Sequence, residues 1–324
     1  MVMSVPSSLA NMEGIADGPL IIIGFALLML GGEFVVQGAV TIAGRLRVPP
    51  LLVGFTIVAV GTSLPELAVA LEAVRTDADE IAVGGVLGSN VANVMLVLGT
   101  AAMLGAASDT GKGVRRDAAA VAAATVMLLI AVMMGEIARV FGIVMLVGLV
   151  AYYVYSYRQS KAEGTDVEDS DTWLPDHMLL AIPCTIFGGW MIWNGAEMLV
   201  EGATGLAIVY EIPESVVGLS VVALGTSLPE LAVTLVAGLR GQGGVAVGNV
   251  LGSNVMNILG ILGFAATYSG GLIVAPEFAQ RDIWIVILTS GFIVAMLYYE
   301  REIGKKLGFG MVLGYLSYMA LLYI

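Results

Sequence analysis

The sequence predicts an all-α integral membrane protein of about ten transmembrane helices, arranged as two inverted five-helix repeats. Three observations lead there: apolar residues in bilayer-length blocks, basic residues gathered in alternate loops, and one segment that is written twice.

The apolar blocks come first. Hydrophobic residues make up 58% of the 324 positions, charged residues only 12%, and the mean hydropathy is +0.94. A soluble domain averages about 45–50% apolar and about 25% charged residues. The surplus falls in stretches near the roughly 20 residues that a helix needs to cross a bilayer. They run approximately Leu20–Ala43, Pro50–Val74, Ile81–Leu104, Ala118–Met134, Val140–Tyr157, Met178–Leu199, Ser215–Leu239, Val245–Ala266, Ile283–Tyr299 and Phe309–Ile324. The stretch Met1 to Pro19 has no Lys or Arg and carries Glu13 and Asp17, unlike the basic start of a cleaved signal peptide. The first block is therefore expected to stay in the mature protein.

The basic residues set the orientation. One set of alternating loops holds Arg45, Arg47, Lys112, Arg115, Arg116, Arg158, Lys161, Arg240, Arg301, Lys305 and Lys306; the other holds only Arg75, Arg139 and Arg281. Cytoplasmic loops carry the excess of Lys and Arg. Both termini are thus expected outside the cell membrane. Residues 1–157 form a first transmembrane repeat, 158–176 an acidic cytoplasmic loop and 177–324 a second repeat. The acids of that loop (Glu163, Asp166, Glu168, Asp169, Asp171, Asp176) do not follow EF-hand spacing and read as a solvated linker. Cys184 is the only cysteine and reads as a packed residue; His177, the only histidine, reads as interfacial.

The repeat appears at a shift of 164 residues, Glu66 to Glu230. Gly61-Thr62-Ser63-Leu64-Pro65-Glu66-Leu67-Ala68-Val69 recurs letter for letter as Gly225 to Val233, and Val86-Leu87-Gly88-Ser89-Asn90-Val91 as Val250 to Val255. Gly31 pairs with Gly195, Glu33 with Glu197, Gly38 with Gly202 and Pro49 with Pro213. Five spans per unit is an odd number, so the second copy starts on the opposite side of the bilayer. Inverted repeats with broken helices are a transporter architecture with its site near the midplane.

Glu66 and Glu230 fall in mid-span, where a charge costs about 2.5–3.5 kcal/mol on insertion scales. No Lys or Arg stands at matching depth, so a mobile cation is the natural partner. Pro65 and Pro229 have no N–H to give the carbonyls of Gly61 and Gly225, which breaks each helix. Thr62, Ser63, Thr226 and Ser227 add hydroxyl oxygens at the break. Ser89 and Asn93, four apart, share a helix face in the following span, as do Ser253 and Asn257. Gly84 with Gly88, and Gly248 with Gly252, allow close helix approach. A donor set of carboxylate, hydroxyl, amide and carbonyl oxygen without Cys or His suits Ca²⁺, which takes about 6–8 oxygens, and Na⁺ accepts the same donors. Glu33 and Glu197 recur without a helix break and read as structural or access-path acids. Glu72 faces Val236 in the repeat and reads as interfacial.

Gly54–Gly99 and Gly218–Gly263 resemble the alpha repeats of the cation/calcium exchanger superfamily, specifically the sodium/calcium exchangers and their prokaryotic relatives. The carrying motif is Gly-Thr-Ser-Leu-Pro-Glu followed by Gly-Ser-Asn, complete in both copies. The resemblance implies ten helices, an outside N-terminus and clustered cation sites. It makes Glu66 and Glu230 the central ligands, with Thr62, Thr226 and the carbonyls of Ala59 and Ala223. Ser63, Ser89, Ser227 and Ser253 would complete sodium sites. Asn93 and Asn257 are both amides, where several relatives have aspartate at the position of Asn257, which leans toward potassium-independent exchange. The expected function is a Na⁺/Ca²⁺ antiporter with Ca²⁺ and Na⁺ as transported ions. No cofactor, no nucleic acid and no obligate protein partner beyond the lipid bilayer is expected. A Ca²⁺/H⁺ antiporter of the same superfamily is the alternative, and a cation channel a distant one. No Ser/His or Cys/His pairing supports an enzyme.

Overall fold

The structure, a computed structural model, describes residues 7–105, 107, 113–163, 173–175, 177–210 and 223–322. The first copy forms α1 (Ser7–Leu46), α2 (Pro50–Thr62), α3 (Leu64–Arg75), α4 (Asp79–Met103), α5 (Val114–Met134) and α6 (Arg139–Glu163). The second forms α7 (Met178–Val209), α8 (Ala223–Thr226), α9 (Leu228–Leu239), α10 (Gly243–Ser269), α11 (Phe278–Tyr298) and α12 (Lys305–Leu322).

Among the described residues, seven helices are long and apolar enough to cross a membrane, and eight when α2 and α3, bent by 43°, count as one span. Two of the ten expected spans remain. The first part of Ser215–Leu239 lies outside the described residues, and its remainder is α8 and α9. The other is α12, whose first turn holds Lys305 and Lys306 and lowers its hydropathy.

Three boundaries differ from the sequence expectation. Helices α1 and α7 run to 40 and 32 residues, well beyond the apolar blocks that announced them. Helix α6 continues through Arg158 to Glu163, so the expected acidic loop starts as helix; its acids from Asp166 to Asp171 and Asp176 lie outside the described residues. Arg116 supports this extension by donating to the Ser156 carbonyl at 3.3 Å and the Ser160 hydroxyl at 3.1 Å.

Apolar packing falls into two clusters. The larger joins α4, α5, α6, α10, α11 and α12 around residues such as Leu87, Leu98, Leu128, Leu251 and Ile258. The smaller joins α1 and α7 to the flanks of α2 and α9, around Val36, Ala39, Ile192 and Val233. Within it, α1 and α7 are antiparallel and meet along glycines. A Cβ on Gly31 would stand 2.7 Å from the Gly188 carbonyl oxygen, and one on Gly24 2.7 Å from that of Gly195. Contacts below 3 Å leave no room for a side chain, so these glycines set the helix separation.

A short antiparallel pairing that hydropathy could not announce joins β1 (Glu136–Ala138) to β2 (Gly271–Ile273), with Ile137 opposite Leu272. The Ile273 N–H also donates to Asp79 at 2.8 Å, tying the clip to the start of α4. Elsewhere Arg115 pairs with Glu300 at 3.0 Å, both well exposed. Two Arg-Asp-Tyr triads link later helices: Arg116 and Tyr152 both bond Asp117, and Arg281 bonds Asp282 with Tyr318 near it. They correspond between the copies one or two residues out of the 164 frame.

The glycine contacts predict that Gly188→Val loses stability by about 1–3 kcal/mol, the usual cost of overpacking. Gly189→Ala, whose added Cβ would meet nothing within 4 Å, is expected to be neutral. Thermal unfolding of the purified protein in detergent compares the two.

Candidate ion-binding site

The two copies of the motif break their helices in the same way. Ser63 (φ −86°, ψ 7°) separates α2 from α3, and Ser227 (φ −91°, ψ 1°) separates α8 from α9. Both values lie near the bridge region, outside continuous helix. Pro65 and Pro229 then sit in the first turn of the new helix, where a missing N–H costs nothing. Glu66 and Glu230 fall in that first turn as well. There the unpaired N–H groups give the helix end a partial positive charge that favours an anion. The break therefore does more than free carbonyls: it turns a helix N-terminus toward each carboxylate.

Both glutamates are buried, Glu66 at 6% exposure and Glu230 at 0%, and they lie close enough for their charges to repel. No ion pair reaches either among the described residues. Their surroundings differ. Glu230 Oε1 accepts from the Ser63 hydroxyl at 3.1 Å and from the Ser253 hydroxyl at 3.4 Å. Among the described residues, both carboxylate oxygens of Glu66 are buried without a hydrogen-bond donor, as are Glu230 Oε2 and the hydroxyl of Ser227, the counterpart of Ser63. Glu230 is held through one oxygen and Glu66 through neither.

The remaining expected ligands gather here to different degrees. The Thr62 hydroxyl lies 3.3 Å from the Ala59 carbonyl, 3.2 Å from Asn249 Oδ1 and 3.5 Å from the Ser253 hydroxyl. The Ala59 carbonyl also takes the Ser63 N–H at 3.0 Å, so it is already engaged in helix ending. Ser89 and Thr226 line a cavity of ≈ 480 Å³ together with Glu66. Asn93 and Asn257 are fully buried with both amide atoms unpartnered among the described residues, at wide, π-type turns that interrupt α4 and α10. Such turns are frequent at functional sites. For Ala223 the structure describes the backbone of α8 alone. Among the described residues, no three His, Cys, Asp or Glu side chains form a metal cluster.

One neighbour escaped the sequence reading. Asn249 donates to the Glu230 carbonyl at 3.3 Å and to the Thr234 hydroxyl at 3.0 Å, while its oxygen faces Thr62. It thus joins the break in α2 to the start of α9. The signal was present: Asn249 stands where the first copy has Gly85, a polar residue in an otherwise matching apolar span. Glu33, expected to be structural or access-related, accepts from Arg240 at 2.8 Å. Glu197 is exposed and Glu72 pairs with Arg75 at 3.4 Å in the open.

The cavity reaches from Glu66, Ser89 and Thr226 to Glu80, Arg281 and Asp282 in the first turns of α4 and α11. A hydrated cation arriving among these residues would meet the unheld carboxylate first.

The profile of the family described as sodium/calcium exchanger protein matches residues 19–158 and 180–324. The chain belongs to the sodium/calcium exchanger family. It is 34% identical to the inner membrane protein YrbG of Escherichia coli (strain K12), over 94% of this chain and 96% of that one. It is 27% identical to the sodium/calcium exchanger MaX1 of Methanosarcina acetivorans, over 94% and 97%. The solved sodium-calcium exchanger NCX_Mj, soaked with Na⁺ and Sr²⁺, matches with a TM-score of 0.80 at 27% identity, covering 94% of this chain and 98% of that one. The exchanger is accordingly a multi-pass membrane protein of cation/calcium exchange and not an enzyme.

The inequality of the two acids yields a prediction. Glu66→Gln removes a buried charge that repels Glu230 and has no donor of its own, so ion-free protein is expected to melt at the same temperature or higher. The same substitution is expected to remove most of the rise in melting temperature on adding Ca²⁺, since only a bound ion stabilises through that carboxylate. Thermal unfolding with and without Ca²⁺ reads both effects.

Proposed function

We propose that the exchanger carries Ca²⁺ in one direction and Na⁺ in the other, with Glu66 and Glu230 as the central ligands. The observation that carries this reading is a pair of buried carboxylates, one from each copy of the motif, ringed by hydroxyl and amide oxygens. Two carboxylates neutralise one Ca²⁺, and Thr62, Ser63, Ser89, Thr226, Ser227, Ser253, Asn93 and Asn257 offer neutral oxygens toward the 6–8 that Ca²⁺ takes. The carbonyls of Ala59 and Ala223 would join once freed from their helix-ending bonds. Na⁺ ions, close to Ca²⁺ in size but with half its charge, would occupy subsets of the same donors, so the two ions compete rather than bind together.

In this reading the chain crosses the bilayer ten times as two inverted repeats, with both termini and the mouth of the cavity outside. Helices α1 and α7 move as a pair against the remaining helices and expose the site to each face in turn. The close glycine-lined contact that joins α1 to α7 supports their moving as a unit. The amides at Asn93 and Asn257 favour exchange without K⁺. Three Na⁺ for one Ca²⁺ would move one net charge, worth about 2.3 kcal/mol per 100 mV.

A proton-coupled exchange is the second reading, favoured by one observation: the Glu66 carboxylate has no donor among the described residues, and such an acid readily binds H⁺. Uptake of ⁴⁵Ca²⁺ into proteoliposomes decides between them. The expected result is uptake that requires internal Na⁺, responds to membrane potential, ignores external K⁺ and a pH gradient, and falls to background in Glu66→Gln and Glu230→Gln. Uptake driven by a pH gradient without Na⁺ would replace sodium by protons as the coupling ion.

A further inference from the structure

The Glu33 carboxylate is the point where three parts of the chain meet. Its Oε2 accepts from Arg240 at 2.8 Å, and its Oε1 from Gln37 and from the Trp173 indole, each at 3.0 Å. Glu33 and Gln37 belong to α1, Trp173 precedes α7, and Arg240 caps the end of α9. Helix α9 carries Glu230 in its first turn. One carboxylate therefore fastens α1 and the approach to α7 to the far end of a helix that bears the candidate site. By the distribution of basic residues, this end of α9 faces the cytoplasm.

The repeat places a second such set on the other face. Glu33 corresponds to Glu197 on α7, and Arg240 to Thr76, directly after Arg75 at the end of α3. That set is apart in this structure. Glu197 is exposed and makes no hydrogen bond or ion pair among the described residues. Arg75 turns instead to Glu72 on its own helix at 3.4 Å, where both side chains are about two-thirds exposed. The open cavity lies on the same face as Arg75, in the turns that begin α4 and α11. One face has its acid and its arginine joined; the other has them separated and carries the open cavity.

We propose that Glu33 and Arg240 form an inner latch that holds the outward-open state, and that Glu197 and Arg75 close as the outer latch when the site turns inward. The inference deepens the alternating-access reading above and rests on it. The chemistry suits a contact that must break once per cycle. A charge-assisted bond gives it a defined geometry. The Arg240 side chain is 54% exposed, so water is at hand to solvate both charges as they part, and such pairs hold weakly. In a protein of inverted repeats the two end states exchange the conformations of the halves. A latch closed in one half then requires its counterpart to be open in the other.

The test uses the full chain in lipid nanodiscs with Cys184→Ser as background and Val69→Cys as a reporter, since Val69 lines the cavity but carries no polar atom for an ion. The rate at which a bulky charged thiol reagent modifies the reporter reads the outward-open population. Glu33→Gln and Arg240→Gln are each expected to slow modification by about threefold or more, and Glu197→Gln and Arg75→Gln to leave it unchanged or raise it. The reversed pair Glu33→Arg with Arg240→Glu is expected to restore the rate, which a general loss of folding would not do. Equal slowing by all four single variants, or no recovery in the reversed pair, would overturn the latch. Sodium-driven ⁴⁵Ca²⁺ uptake by the unsubstituted protein is measured alongside. If that uptake is absent while the opposite labelling effects persist, the ion coupling is wrong and the latch stands. If uptake is present and labelling does not respond, the latch is wrong and the exchange reading stands.

Discussion

Burying two carboxylates side by side without a basic partner is costly, and much of the structure near the site can be read as a response to that cost. A charge in a low-dielectric interior must be paired, hydrogen-bonded or neutralised. The chain meets the requirement partly with backbone, by ending one helix and starting another so that fresh N–H groups sit beside each acid. It meets it partly with hydroxyls, because Ser63 crosses from one copy of the motif to hold Glu230 in the other. What is left over, chiefly the two undressed oxygens of Glu66, is the share that a cation must supply. In the proposed reading, the site is completed by the ion that it binds.

The helices around the acids divide by what they can tolerate. Those that carry site residues are shared between the two apolar clusters, and α10 is the most buried of the membrane-length helices. Helix α10 also brings Ser253 and Asn249 to the Glu230 side, so its burial fixes the held acid. Helices α1 and α7 meet each other through glycine backbone and contact α9 where Gly32 lies under Ala232. Across these seams side chains such as Ile192, Phe34 and Val236 sit in the space that the glycines leave.

The membrane class, the two helix breaks and the identity of the paired acids were legible because they are written as letters: apolar runs, Pro before Glu, and a match that needs no gap. The inequality of Glu66 and Glu230 was not legible. Their flanking residues are identical, and the difference lies in which serine reaches which carboxylate and in Asn249 standing opposite Gly85. The Arg-Asp-Tyr triads were hidden by a slip of one or two residues from the frame that aligns the motifs. The lengths of α1 and α7 were underestimated because Pro19 and the acids near it resemble a loop, although a helix tolerates them beyond the apolar core. The pairing of Glu33 with Arg240 joins residues 207 apart in sequence, beyond any local pattern.

The β1–β2 clip has no twin among the described residues. At the register that would mirror β1, the chain at Glu300–Glu302 forms no strand, and the tie there is the exposed pair of Arg115 and Glu300. The two faces are thus fastened by different forces. Backbone hydrogen bonds in the clip are indifferent to dissolved electrolyte, whereas an exposed ion pair weakens as the Debye length shrinks, from about 30 Å at 0.01 M to about 3 Å at 1 M. A rise in ionic strength therefore weakens the Arg115–Glu300 tie more than the backbone bonds of the clip.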